Sequence, residues 1–126
     1  MKGDPMKHRL SLGLVLLFLI HFSAVPGHTA LDPPTPGSSY AYPNPVRGCC
    51  VDVVYRMDEP GTAEIRVYHE GGDLVAQSSE WKPVGTQETR VGCRQAPGLY
   101  LYRVTLHYDS GRTAILPTGH FTVATR

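Results

Sequence analysis

The chain has 126 residues, 41% of them hydrophobic and 18% charged, the balance of a globular protein with room for one small domain. Its net charge is +1 and its lysines and arginines are scattered, so it lacks the concentrated positive field that phosphate binding requires. Nucleic acid is excluded as an expected partner.

The chain opens on Lys2, Lys7 and Arg9, followed by the apolar run LSLGLVLLFLIHFSAV over residues 10–25. That run is shorter than the ~20 residues a membrane span requires. It has the layout of a signal peptide over residues 1–27, with cleavage between Ala24 and Ala30; Val25 and Gly27 favour a cut after Gly27. The alternative is an uncleaved N-terminal anchor. Cleavage would leave no membrane span and send the chain to the periplasm, the outer surface or the extracellular space. No cysteine follows the run closely enough to carry a lipid. Residues 28–40 include LDPPTPGSSY, whose composition predicts an extended Pro-rich linker. Residues 41–125 remain for the folded domain, a size at which a covalent staple helps.

After the entry segment AYPNPVRGCC (residues 41–50), CVDVVYRM (50–57) alternates as a half-buried strand does. Val51, Val53, Tyr55 and Met57 share one face, and Cys50, Asp52, Val54 and Arg56 the other. DEPG (58–61) reads as a turn, and TAEIRVYH (62–69) alternates again, with Ala63, Ile65 and Val67 directed inward. EGGD (70–73) is a hairpin signal that places Gly71 and Gly72 in a primed turn. LVAQSSEW (74–81) follows with a weaker pattern, then a break at Pro83 and Gly85, then TQETRVGC (86–93), where Gln87, Thr89, Val91 and Cys93 share a face.

The turn APG (96–98) leads into LYLYRVTLHYD (99–109), which sets Tyr100, Tyr102, Val104, Leu106 and Tyr108 on one side. DSGR (109–112) and TAILPTGHFTVA (113–124) close the pattern, with Pro117 and Gly119 marking a bulge or an edge. Outside the leader, apolar residues nowhere repeat at helical spacing for three turns. The domain is predicted to be all-β, a small antiparallel β-sandwich of about seven strands.

Taken in order, these pieces resemble the immunoglobulin-like domain of the flagellar hook-capping protein and of the C-terminal sorting domains of the type IX secretion system. Tyr42, Pro43, Asn44 and Pro45 match the family's entry, and Val53, Tyr55 and Met57 its first strand, followed by the turn Asp58–Gly61. Ala63, Ile65, Val67, Tyr68, Gly72 and Val75 match the next element, although His69 stands where the family carries aspartate. Gly85, Gln87, Thr89, Val91, Gly92 and Cys93 align with a segment whose tryptophan and aspartate are missing here, and Gly98, Tyr100, Tyr102 and Arg103 match the last signature. The resemblance covers about residues 41–124.

It implies an immunoglobulin-like sandwich and a module that binds or is recognised. In relatives the domain is an address read by the export machinery and attached to a cargo. Here only a short linker separates it from the leader, so the expectation is a free-standing structural or interaction module, with a protein partner at the cell surface or in the secretion machinery. An exposed strand edge is one means of joining. The alternatives are a filament cap or scaffold component and a small carbohydrate-binding or enzyme-associated domain.

No nucleophile, base or carboxylate constellation of a known catalytic signature occurs, so the chain is not expected to be an enzyme and no cofactor is expected. His69, His107 and His120 lack a close pair and read as exposed strand and turn residues without a metal. Cys49, Cys50 and Cys93 are more informative, because an exported chain favours an oxidised pair and adjacent cysteines can hardly bond each other. One of Cys49 or Cys50 is expected to pair with Cys93. Strand parity favours Cys49 and leaves Cys50 as the odd thiol; three reduced thiols and a three-thiolate zinc site are the other readings. Among the aromatic residues, Trp81 is the candidate ligand contact, since Tyr55, Tyr100, Tyr102 and Tyr108 fit a core.

Overall fold

The computed structural model describes residues 32–125; the signal peptide read over residues 1–27 and its cleavage interval lie outside them. Eight strands follow one another: β1 Ser39–Tyr42, β2 Val51–Met57, β3 Gly61–His69, β4 Leu74–Lys82, β5 Gly85–Val91, β6 Gly98–Tyr108, β7 Thr113–Ile115 and β8 Gly119–Val123. They form two antiparallel sheets, one of three strands in the order β1-β2-β5, the other of five, in which β4-β3-β6 continues to β7 and β6 also pairs with β8. The architecture is a small β-sandwich, as the alternating pattern predicted.

Its interior comes from the inward faces of the central strands. Val51, Val53, Tyr55 and Met57 of β2 meet Ala63, Ile65 and Val67 of β3 and Tyr100, Tyr102, Val104, Leu106 and Tyr108 of β6 in one buried cluster. Each large apolar side chain removed from water contributes about 1.5–3 kcal/mol. The tyrosines bring hydroxyls into this interior, and each of three finds a partner: Tyr55 with Thr89 at 2.8 Å, Tyr102 with Ser39 at 3.2 Å, and Tyr100 donating to the Ala96 carbonyl at 2.6 Å. Among the described residues no buried side-chain polar atom is left without a partner. That accounting is what permits so many phenols in a core.

Three expectations need correction. First, β1 begins at Ser39, so the linker read over residues 28–40 gives up its last two residues to the sandwich. Tyr40 and Tyr42 have a place to pack because β1 lies against Val54 and Asp52 of β2.

Second, EGGD is not a two-residue primed turn. His69 N–H donates to the Asp73 carbonyl and Gly72 N–H to that of His69, closing a three-residue loop in which Gly72 alone has positive φ, at +98°. Tyr108, Gly111 and Arg112 repeat the same design, with Gly111 at φ +96°.

Third, the Tyr42–Pro45 segment does not enter the first strand; it leaves β1. Both Tyr42–Pro43 and Asn44–Pro45 are cis peptides. The chain then crosses to β8, where Val46 forms a parallel bridge with Val123 and is buried. Val46 N–H donates to the Thr122 carbonyl, Ala124 N–H to that of Val46, and the Asn44 side-chain oxygen accepts from Thr122 N–H and hydroxyl.

Pro117 and Gly119 do sit at an edge. β7 pairs with residues 105–107 of β6 and β8 with residues 98–102, and the break between them carries Pro117, which has no N–H to give a ladder. Leu116 bridges the gap by donating its N–H to the Val104 carbonyl while its side chain is buried.

Candidate functional site

Two places bring together side chains that the interior does not use. The first is the end of the β2–β5 ladder. The ladder's last pair is Val51 with Val91; Gly92 then turns at φ +64° and Arg94 also has positive φ. The turn delivers Cys93 to Cys50, with which it forms a disulfide at a Cα–Cα distance of 4.0 Å. This corrects the expectation that Cys49 makes the bond. Strand parity would hold only if the ladder ran on to Cys93, and the left-handed Gly92 ends it one residue too soon.

Cys49 is the free, exposed cysteine, and its sulfur lies 3.1 Å from that of Cys50. The disulfide closes a sequence separation of 43 residues, which contributes about 3–4 kcal/mol in the chain-entropy model. It is consistent with an oxidising compartment.

Beside this corner, the outward face of the three-stranded sheet is covered by polar pairs. Arg90 donates to both oxygens of Asp52, at 2.9 and 3.1 Å, which explains why Asp52 is buried although it points away from the core. Tyr42 lies near Glu88, whose hydrogen bonding is the main reason its phenol is pushed up to about 12, with burial second.

The second place is the outward face of the five-stranded sheet. Cross-strand register sets Trp81, Thr62, His107 and Thr113 in one row and Ser79, Glu64, Thr105 and Ile115 in the next. Arg66 and Arg103 then stand opposite each other, and Leu74, Tyr68, Leu101 and His120 form a further row. Four large apolar residues of this face are exposed: Trp81 at 59%, Ile115 at 65%, Leu74 at 51% and Leu101 at 37%.

Arg66 is paired with Glu64 at 2.8 Å, while Arg103 has no ion-pair partner among the described residues. Like charges directly opposite each other in a ladder repel. Glu64 offsets the charge of Arg66, which leaves Arg103 as the uncompensated member of the pair among the described residues.

The residues singled out by sequence fall into three groups. Tyr100 and Tyr102 are core, as is Tyr55. Gly72 and Gly98 hold turns, Gly98 at φ +153°. Trp81 is solvent-facing, and its indole N–H donates to Asp109 at 3.1 Å.

His69 Nδ1 accepts the Gly71 N–H at 3.3 Å, and its ring meets Tyr100 edge-on at 5.4 Å. His107 and His120 lie on exposed strand positions. The Arg66–Arg103 juxtaposition was missed, because alternation shows which residues point outward but not which strand neighbours which.

Compared with protein-family models, with curated proteins and with solved structures, the chain finds no match. Among the described residues no helix is long and apolar enough to cross a membrane.

Proposed function

We propose that this is a non-catalytic, exported immunoglobulin-like module that docks a protein partner on the outward face of its five-stranded sheet. The observation that carries the reading is the composition of that face, where Leu74, Leu101, Ile115 and Trp81 surround the adjacent Arg66 and Arg103. Trp and Arg are the residues over-represented at the energetic centres of interfaces. The partner surface that complements this one is apolar, with a carboxylate placed to reach the Arg103 guanidinium. The open edge of β4, whose only ladder neighbour among the described residues is β3, adjoins the same face and extends the contact by strand addition.

The resemblance of the YPNP entry and the Gly98–Arg103 segment to secretion-sorting domains supports recognition by a surface or export assembly as the role. The test is site-specific photo-crosslinking in the producing cell. A crosslinker at Ser79 or Thr105 should give a discrete adduct that Arg103→Glu abolishes, while one at Glu88 on the opposite sheet gives none. Equal labelling from both faces would overturn the reading.

One observation favours a second reading, a carbohydrate-binding domain. Trp81 is exposed and its ring is held by Asp109, the arrangement of a stacking platform. Retention on a polysaccharide matrix that disappears in Trp81→Ala, with no protein adduct, would favour it over the first.

A further inference from the structure

The sulfurs of Cys49, Cys50 and Cys93 all lie within 4.8 Å of one another. The β2–β5 register, continued two residues beyond the Val51–Val91 pair, would set Cys49 opposite Cys93, and it is the turn at Gly92 that brings Cys93 to Cys50 instead. Cys49 is nevertheless held at the site. Its carbonyl accepts the Arg94 N–H at 2.7 Å, so the residue after Cys93 fixes the backbone of Cys49 beside the disulfide. The Cys49 sulfur lies within 4.8 Å of that of Cys93 and 3.1 Å from that of Cys50, so a rotation of the Cys49 side chain is what brings it into line with Cys93, and only one of the two can bond Cys93 at a time.

We propose that Cys49, Cys50 and Cys93 form a thiol–disulfide exchange site, in which one disulfide is shared among three sulfurs and the third is a thiol offered to disulfides of other molecules. The Cys49 thiolate attacks the Cys93 sulfur. The Cys49–Cys93 bond forms, the Cys50–Cys93 bond breaks, and the electron pair leaves on the Cys50 sulfur, which takes up the proton that Cys49 released. Nothing is oxidised or reduced overall, so the step needs no co-reactant, and the reverse step restores the first bond.

Cys49 is open to a second molecule: it lines an exposed depression together with Arg94, Gln95 and Ala96.

The two states differ in what they show to solvent. With Cys50–Cys93 bonded, the free sulfur is the exposed Cys49; after exchange it is the half-buried Cys50. In the first state the substrate is a disulfide on another molecule. The Cys49 thiolate forms a mixed disulfide with one of its sulfurs, and the other leaves as a thiolate. In the second state the reactive thiol is withdrawn. Two adjacent cysteines, otherwise redundant beside a single partner, are what such a site requires.

Acid quenching tests the exchange on the wild-type protein, since uncatalysed rearrangement takes minutes to hours and a quench preserves the populations. After incubation at mildly alkaline pH, quenching, alkylation and digestion without reductant, fragmentation between Cys49 and Cys50 shows which of them carries the alkyl group. Label on both residues in separate molecules is the expected result; label confined to Cys49 at every pH and incubation time would overturn the proposal. In Cys50→Ser, Cys49 should bond Cys93 and leave no alkylatable thiol, and two alkylated thiols in that variant would count against it.

Oxidised glutathione probes the external step. One adduct per wild-type chain is expected, forming about tenfold faster per pH unit while the thiolate is the minor form. Absence of an adduct would exclude the external reaction.

Discussion

Tyr102 joins three contacts in one side chain: its ring is buried, lies 6.4 Å from that of Phe121, and carries a hydroxyl that meets Ser39 across the sandwich. Gly119 passes so close to this ring that a Cβ added there would overlap it. Tyr102→Ala should therefore cost about 3–5 kcal/mol, through the cavity and the lost hydroxyl contact. Gly98→Val should cost about 1–3 kcal/mol, because φ +153° is backbone that a β-branched residue rarely adopts. Chemical denaturation followed by circular dichroism measures both. Unchanged midpoints in both variants would be incompatible with a core built on β6. The inward face of β6 was readable residue by residue, since Tyr100, Tyr102, Val104, Leu106 and Tyr108 alternate without a break and all five are buried. The choice between Cys49 and Cys50 was not, because parity counts only while the chain stays extended and Gly92 ends the extension.

Among the elements, the two three-residue hairpins make a paired test. Gly72 and Gly111 occupy equivalent places, both with positive φ and both with nothing within 4 Å of an added Cβ, so strain is separated from crowding. Gly72→Ala and Gly111→Ala should each destabilise by about 1–2 kcal/mol, the left-handed penalty, whereas Gly71→Ala should change stability little. Thermal unfolding of the three variants checks this, and equal losses at Gly71 and Gly72 would restore the primed turn. The sequence signalled a hairpin here through its paired glycines, but not the loop length, which depends on where the ladder bonds of His69 and Asp73 close. In the same way β2 was legible in its inward face while the burial of Asp52 and Val54 was not, because their cover comes from Tyr40, Tyr42, Glu88 and Arg90 on strands distant in the chain.

For the molecule as a whole, the phenols set an alkaline limit. Tyr42 is pushed up to about 12, chiefly by hydrogen bonding to Glu88; Tyr55 and Tyr102 are raised by burial, partly offset by Thr89 and Ser39. A group whose folded value lies above its unfolded value stabilises the fold while protonated. Its contribution is complete below the unfolded tyrosine value near 10 and is lost as pH rises through the folded values. Melting temperature should therefore fall between about pH 10 and about pH 12, and Tyr42→Phe should lessen that fall. A melting temperature independent of pH across this window would contradict the assignment. On the acidic side, Glu59 is lowered by Ser110 first and Arg112 second, so its exposed contribution is present above the unfolded carboxylate value and fades as pH falls through the folded one. The all-β class and the two-sheet plan were legible from alternation and turns alone. The outward face proposed to bind a partner was not, since its character depends on which strands lie side by side.

The clasp between residues 44–46 and β8 also has a mechanical meaning. Val46 and Val123 run parallel, and the four hydrogen bonds linking Asn44, Val46, Thr122 and Ala124 lie across that direction. If one end of the domain is tethered and the other is pulled, parallel segments slide past each other, so these bonds share the force together instead of parting one after another. Tension applied along the chain is thus met in shear at this clasp, where the bonds must break together.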